Sequence, residues 1–161
     1  MKILLVDDDL DCLNNLKEAI EPTGYECVLF QSPKDGFDAL QKNAFDAIIT
    51  DFRMPDMNGI ELIKEIKNYN PHIPIIMITG CAFVDDAICA LNNGAYAVFC
   101  KPLKFHDLIE MLANIDQQKR QYRLKIADEL NILAGENFRL NNILSTMQNE
   151  IIGYSPARID S

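Results

Sequence analysis

The residues of this chain best suited to chemistry are several carboxylates, one hydroxyl and one amine, each placed directly after a short apolar run. They are Asp7, Asp8 and Asp9 after the first run, Asp51 after the third, Thr79 after the fourth and Lys101 after the fifth. An acidic residue in such a place is most often the N-cap of the next helix, which is how we interpret Asp9. The whole set at one edge of a sheet indicates a functional site.

Three carboxylates within several ångströms of one another cannot all stay charged without compensation. Two like charges about 4 Å apart repel by about 4 kcal/mol at an effective dielectric constant of about 20. The single amine of Lys101 is not enough, so the cluster of Asp7, Asp8 and Asp51 must raise a pKa, recruit a cation, or both. A hard divalent cation fits best, and Mg²⁺ suits a site of carboxylates and phosphate oxygens.

With Mg²⁺ present, the remaining groups take roles in phosphoryl transfer. The Asp51 carboxylate would attack phosphorus and form an acyl phosphate, a reaction that needs mainly positioning and charge neutralisation. Mg²⁺ and Lys101 would neutralise the phosphoryl oxygens, and the Thr79 hydroxyl would donate a hydrogen bond to one of them. Because a turn follows Asp51, the backbone carbonyl of Arg53 would complete the metal shell.

The elements that must position these groups alternate between strand-like and helix-like segments. Apolar runs predict strands over 3–6, 25–30, 47–50, 75–78 and 96–100, and capped or amphipathic segments predict helices over 10–20, 33–42, 59–69, 84–92 and from about 104. Strands without polar alternation are buried on both faces, which indicates a parallel (βα)₅ sheet with helices on each side. Ligands of such sheets bind beyond the C-terminal strand ends, where the candidate residues lie.

Four segments resemble the receiver domains of two-component response regulators. They are ILLVDDD (3–9), TDFRMPDMNG (50–59), IMITG (76–80) and Lys101-Pro102, and the resemblance covers roughly residues 1–118. It implies a flavodoxin-like, doubly wound α/β fold with strand order 2-1-3-4-5. It also implies that a sensor histidine kinase phosphorylates Asp51, that Asp8 binds Mg²⁺ directly and Asp7 mostly through water, and that the peptide bond before Pro102 is cis.

Two positions bear on how such a domain would work. Val98 stands three residues before Lys101, where the family often has Tyr or Phe as a rotating switch residue, so switching is expected to depend on Thr79 and its loop. Arg53 stands two residues after Asp51, where related aspartyl-phosphate phosphohydrolases need a second Asp. We therefore expect no enzyme beyond Mg²⁺-dependent self-phosphorylation and self-dephosphorylation.

Residues 119–152 carry a heptad pattern in place of strand patterning. The d positions are Ile126, Leu133, Leu140 and Met147, and the a positions are Leu130, Asn137, Leu144 and Ile151. A single Asn at an a position costs stability but fixes register and favours parallel dimers. This pattern predicts a helical coiled-coil linker and a homodimer, although Gly135 weakens the helix by about 1 kcal/mol. A helix packed against its own receiver is the alternative.

The segment EIIGYSPA (150–157) resembles the start of the AAA+ ATPase domain of sigma-54-dependent, nitrogen-regulation-type transcriptional activators. Together with the receiver resemblance and the heptad pattern, it predicts a receiver over 1–118, a linker over 119–152, and the start of a truncated output domain or a disordered tail over 153–161. No G-x-x-x-x-G-K-[ST] loop occurs, so this chain does not bind ATP in that way. The alternative is a stand-alone receiver with a dimerisation helix and no ATPase output.

Composition disfavours several other classes of protein. The formal net charge is −9 at pH 7, its acidic excess lies within residues 1–114, and no basic patch predicts direct nucleic-acid contact. The apolar runs are too short to cross a membrane and the N-terminus leaves no room for a signal peptide, which predicts a cytoplasmic protein. The 5 cysteines lack C-x-x-C spacing and are expected to be reduced.

Overall fold

A computed structural model of the chain describes residues 1–80 and 84–153. Cys81 and residues 154–161, most of the predicted third part, lie outside the described residues. The elements are β1 (Lys2–Val6), α1 (Leu10–Ile20), a 3₁₀ turn (Glu21–Thr23), β2 (Glu26–Phe30), α2 (Pro33–Lys42), β3 (Ala47–Asp51), α3 (Gly59–Tyr69), β4 (Ile75–Thr79), α4 (Val84–Asn92), β5 (Ala97–Cys100) and α5 (Phe105–Gly153).

The five strands form one parallel sheet in the order β2-β1-β3-β4-β5, which confirms the predicted fold class. Its register aligns the C-terminal ends of neighbouring strands. Val6 pairs with Thr50, and Asp51 pairs with Ile78. The residues that follow β1, β3 and β5 therefore emerge at the same edge.

Local capping explains why the first helices begin where they do. The Asp9 side chain accepts hydrogen bonds from the backbone N–H groups of Asp11 and Cys12, which confirms its predicted N-cap role in α1. Ser32 caps α2, with proline at the first helical position. Asn58 caps α3 in a reciprocal capping box.

The core lies on both faces of the sheet. On one face, the inward side chains of β1 and β3 pack with buried residues of α1 and α5, among them Leu13 and Leu112. On the other face, Leu62 and Ile66 of α3 pack with strand residues and with Ala90 of α4. Fully burying one such aliphatic side chain contributes about 1.5–3 kcal/mol, so these two layers hold the strand ends in place.

The chain divides into two compact units, residues 1–116 and 117–161. In the first unit, α5 buries Leu108, Leu112 and Ile115 completely or nearly so. In the second unit, the helix leaves five of its apolar heptad residues exposed, among them Leu130 at 60% and Leu133 at 55% exposure. The predicted fifth helix and the predicted linker helix are thus one continuous element.

Two further expectations can be compared with the described residues. Within them, no helix combines the length and apolar character needed to cross a lipid bilayer. Cys12, Cys27, Cys89 and Cys100 are free thiols. Burial raises the pKa of Cys27 to about 11, so that thiol stays protonated.

Candidate functional site

The carboxylates predicted from the sequence lie together at the C-terminal edge of the sheet. Asp7 and Asp8 follow β1, and Asp51 is the last residue of the neighbouring strand β3. One carboxylate oxygen from each lies within 4.8 Å of the other two. Asp7 and Asp51 are only 4% and 7% exposed, whereas Asp8 is open to solvent. The site therefore has a buried acidic floor and one carboxylate at its rim.

Backbone N–H groups orient both buried carboxylates. The N–H of Asp9 donates to Asp7 Oδ1 at 2.9 Å, and the N–H of Arg53 donates to Asp51 Oδ2 at 2.7 Å. Each of these hydrogen bonds joins residues two positions apart, so the turn after each strand fixes the orientation of the carboxylate at the end of that strand. The other oxygen of each carboxylate is left for the centre of the site.

Lys101 supplies the positive charge at that centre. Its amine lies 2.7 Å from Asp51 Oδ1 and 3.5 Å from Asp7 Oδ2. The Lys101 N–H donates to the carbonyl oxygen of Thr79 at 2.8 Å, and the peptide bond to Pro102 is cis, as the resemblance implies. One amine thus pairs with two buried carboxylates that come from different strands.

The electrostatics of the site leave an excess of negative charge. Burial is the largest cause of the raised pKa of Asp7, and the charge of Asp51 adds to it. Burial on its own lowers the pKa of the Lys101 amine, but the ion pairs with Asp51 and Asp7 outweigh it and raise that pKa above its ordinary value. Lys101 therefore stays protonated at neutral pH, and a single positive charge faces three carboxylates.

The residues present fit a divalent cation. Asp51 Oδ1 meets the Lys101 amine as an ion pair, and no described residue donates a well-directed hydrogen bond to this buried oxygen. A buried carboxylate oxygen with free lone pairs is costly unless a charge compensates it. Together with Asp7 and Asp8 it forms an all-oxygen donor set, the kind that Mg²⁺ prefers.

The two other predicted residues lie beside this cluster. Thr79 is buried at the end of β4 and follows Ile78, the strand partner of Asp51. Arg53 is exposed and contributes its backbone N–H to Asp51. The hydrogen bond expected from the Thr79 hydroxyl and the metal ligation expected from the Arg53 carbonyl stay predictions.

Gly59 is a residue of the site that sequence reasoning missed. It opens α3, and a Cβ there would overlap the carbonyl oxygen of Asp51 and lie 3.0 Å from Phe52 Cα. The Gly59 N–H donates to the Phe52 carbonyl at 2.8 Å. Only glycine lets α3 approach the end of β3 this closely, and its place directly after the N-cap Asn58 was the available signal.

Two further contacts were also missed. The buried Thr50 hydroxyl donates to the Asp51 carbonyl at 3.1 Å. The Cys12 thiol lies 3.8 Å from the Lys101 amine, and burial raises the pKa of that thiol. Cys12 stands one helical turn after Asp9, so its helical position was the only hint that it faces the site.

Comparison with known proteins agrees with this geometry. A family model described as the response regulator receiver domain matches residues 3–113. The chain belongs to the response regulator receiver family. Receiver domains are phosphoacceptors that histidine kinases phosphorylate, and they bind Mg²⁺ through acidic residues.

Two curated relatives of this receiver are bacterial transcriptional regulators. Transcriptional regulatory protein ZraR of Klebsiella oxytoca is 38% identical over 106 residues, which cover 66% of this chain and 24% of that protein. DNA-binding transcriptional regulator NtrC of Escherichia coli K12 is 29% identical over 161 residues, covering 98% of this chain and 31% of that protein. The chain therefore spans about a quarter to a third of the length of these relatives.

Solved structures give the same fold. A response regulator receiver domain from Clostridium thermocellum aligns with a TM-score of 0.71 at 33% identity, covering 75% of this chain and 98% of that one. A two-component response regulator from Clostridium difficile aligns with a TM-score of 0.71 at 27% identity, covering 74% and 98%. Both alignments cover about the length of the (βα)₅ unit.

Proposed function

We propose that this receiver is a phosphorylation-dependent switch that accepts a phosphoryl group on Asp51 from a sensor histidine kinase. The observation that carries this proposal is the Asp51 carboxylate itself, buried beside Asp7 and Asp8 and paired with Lys101 at 2.7 Å. An ion pair between one buried carboxylate and an amine is by itself compatible with a purely structural role. Two further carboxylates beside this pair favour a bound cation and a phosphoryl group instead.

Mg²⁺ would be held by the oxygens of this cluster. Asp8, which is exposed at the rim, would be the direct ligand, and the buried Asp7 would act mostly through water. Asp51 and the backbone carbonyl of Arg53 would complete the protein ligands. The ion would neutralise the charge on the transferred phosphoryl group.

Transfer to Asp51 forms a bond between its carboxylate oxygen and phosphorus while the bond from phosphorus to the donor breaks. The Arg53 N–H holds one carboxylate oxygen by its bond to Oδ2, which limits rotation of the nucleophile. Lys101 stays protonated and neutralises a phosphoryl oxygen, and the Thr79 hydroxyl donates a hydrogen bond to another. The chain supplies positioning and charge, which are the main requirements of phosphoryl transfer.

Phosphorylation replaces the single negative charge of the Asp51 carboxylate with about two negative charges on the phosphoryl group and thereby changes the surroundings of Thr79 at the end of β4. Val98, half-buried against the core, takes the place of an aromatic switch residue. The signal would pass to a homodimer of the linker and then to a transcriptional output of the sigma-54-dependent type. Support for this output comes from the regulator relatives and from the segment EIIGYSPA.

Labelling with acetyl phosphate tests the phosphoacceptor. The wild-type chain with Mg²⁺ should incorporate label, and Asp51→Asn should abolish it, because the amide is not a nucleophile of comparable strength. Asp56→Asn is the matched control, since Asp56 is an exposed residue of the next loop and its positive φ is tolerated by Asn. Removal of Mg²⁺ with EDTA should also stop labelling of the wild type.

Two results would contradict the assignment. Undiminished labelling of Asp51→Asn would place the phosphoryl group elsewhere. Labelling that survives EDTA would separate the acidic cluster from any metal requirement.

A further inference from the structure

A second cavity of the receiver lies on its flank, between α2, α3 and the loop that precedes α3. Its volume is about 480 Å³, which falls within the range of about 300–1,000 Å³ typical of ligand pockets. Both apolar and charged side chains line it, and none of them belongs to the acidic cluster around the phosphoacceptor. The phosphoacceptor chemistry therefore leaves this cavity without a role.

The floor of the cavity is apolar. Phe37 of α2 and Met57 of the loop are half-buried and pack against the core beneath them. The Phe37 ring meets the ring of Tyr69 of α3 edge-on, with centroids 6.0 Å apart and an interplanar angle of 77°. This contact fixes the orientation of the Phe37 ring, while the flexible thioether of Met57 can adapt to what lies against it.

The walls of the cavity are acidic. Asp38 of α2, Asp56 of the loop and Glu65 of α3 line it, and the basic residue among the lining side chains is Lys34 of α2. Glu65 stands one helical turn before Tyr69, on the face of α3 that meets α2. Among the described residues, no ion pair engages any of these three carboxylates. Their charges are therefore available to a cationic partner.

The combination of an aromatic floor and carboxylate walls favours arginine as the cation. A guanidinium group can stack on an aromatic ring and donate two parallel hydrogen bonds to a carboxylate. One small cation would neutralise a single carboxylate, whereas carboxylates on three separate elements suit several cations carried on one chain. An apolar side chain of that chain would also cover the floor. These features fit a peptide segment better than a small molecule.

We propose that the cavity between α2 and α3 is a docking site for a short arginine-bearing segment of a partner protein. Arginine side chains of the segment pair with Asp38 and Glu65 and lie over the Phe37 ring, and an apolar side chain packs against Met57. The segment binds to the flank of the receiver, while Asp51 stays accessible at the strand ends. Because exposed charges are screened by salt, added salt weakens the docking.

The test measures binding of a fluorescein-labelled Arg-Leu-Arg-Arg-Leu-Arg peptide to the whole chain by fluorescence anisotropy at about 50 mM NaCl. An Arg-Gly-Arg-Arg-Gly-Arg peptide carries the same charge without the apolar side chains. The cavity variant is Asp38→Asn/Glu65→Gln. The matched control is Asp128→Asn/Glu129→Gln, which makes the same chemical change at two exposed residues of the linker. Circular dichroism checks that each variant is folded.

We expect saturable binding of the leucine peptide by the wild type and by the control. The cavity variant should bind it at least about tenfold more weakly than the control, because two charge-assisted pairs are lost. The glycine peptide should also bind the wild type more weakly than the leucine peptide, because it cannot cover Phe37 and Met57.

Several results would overturn the docking site. Equal losses in the cavity variant and the control would show only general attraction to an acidic protein. Equal affinity for the leucine and glycine peptides would remove the apolar floor from the interaction. Displacement of the peptide by an equal concentration of acetylarginine amide would assign the cavity to a small organic cation. If no peptide binds and the cavity variant loses a dimer that the wild type forms, a second copy of the chain covers this surface instead.

Discussion

The receiver and the linker use apolar side chains in opposite ways. In residues 1–116, the leucines and isoleucines of β1, β3 and β4 are buried, and Leu4 and Ile48 are fully buried. In the second unit, Leu140 and Leu144 are 57% and 56% exposed in the single chain. The same residue types thus complete a core in one region and form an open surface in the other.

This difference shows where each region finds its stability. Each buried aliphatic side chain of the receiver contributes about 1.5–3 kcal/mol within one chain. A lone helix gains little from its own propensity, because most helical stability in proteins comes from packing of an apolar face. We therefore expect the receiver to be stable alone and the linker to depend on a partner.

Removal of the linker is the most direct way to break the comparison. Deletion of residues 120–161 should abolish dimerisation, because it removes the whole heptad seam, and should leave acetyl phosphate labelling of Asp51 intact. Sedimentation and labelling of the truncated chain measure the two effects separately. A truncated chain that remains dimeric in solution would show that the receiver itself forms the dimer.

A pair of glycine substitutions sharpens the same comparison. Gly59→Ala should lower the free energy of unfolding by about 1–3 kcal/mol, because its Cβ would meet backbone atoms of Asp51 and Phe52. Gly135→Ala should stabilise the linker helix by about 1 kcal/mol, because nothing lies within 4 Å of its Cβ position. Chemical denaturation followed by circular dichroism checks both values. If the two substitutions changed the free energy of unfolding in the same direction and by the same amount, the contrast between the packed receiver and the open linker would be contradicted.

The smallest expected effect concerns the charge of Asp7. Because burial raises the pKa of Asp7, its folded form binds a proton more tightly than its unfolded form, so its contribution to stability is present below the unfolded pKa and lost as pH rises. Asp7→Asn should therefore raise the free energy of unfolding at pH 7 in EDTA, with the gain vanishing in acid. Chemical denaturation of the wild type and of Asp7→Asn, repeated from acid pH up to pH 7, measures this gain in the free energy of unfolding.

Asp9→Asn provides the control of opposite sign for that measurement. Hydrogen bonds from the Cys12 thiol and from backbone N–H groups lower the pKa of Asp9. Its contribution is therefore present above the unfolded pKa and lost as pH falls. Asp9→Asn should lower the free energy of unfolding at pH 7, and an increase of equal size in both variants would contradict the burial argument.

Added Mg²⁺ should raise the free energy of unfolding of the wild type more than that of Asp7→Asn.

Much of the receiver fold could be predicted because its signals are local. The bounds of α1, α2, α3 and α4 agree with the sequence prediction, since a capping residue or a continuous periodic pattern marks each of them. The strand order needed the resemblance, because apolar runs show which strands are buried but not which strands are neighbours. The start of β2 and of β5 lies one residue later than predicted.

Other features of the site could not be predicted in this way, because they depend on how separate elements pack. The close approach of Gly59 to Asp51 requires α3 and β3 together. The contact between Cys12 and Lys101 joins residues 89 positions apart in the chain. No local pattern contains such information.

Residue types and spacing were therefore enough to predict the acidic cluster, its lysine and the heptad, because strand ends and helix faces follow from short-range periodicity. The folded sheet alone set the 2.7 Å pair between Lys101 and Asp51 and the burial that raises the pKa of Asp7. Distances and burial arise from the packing of strands that are far apart in the chain, and packing is a property of the whole core.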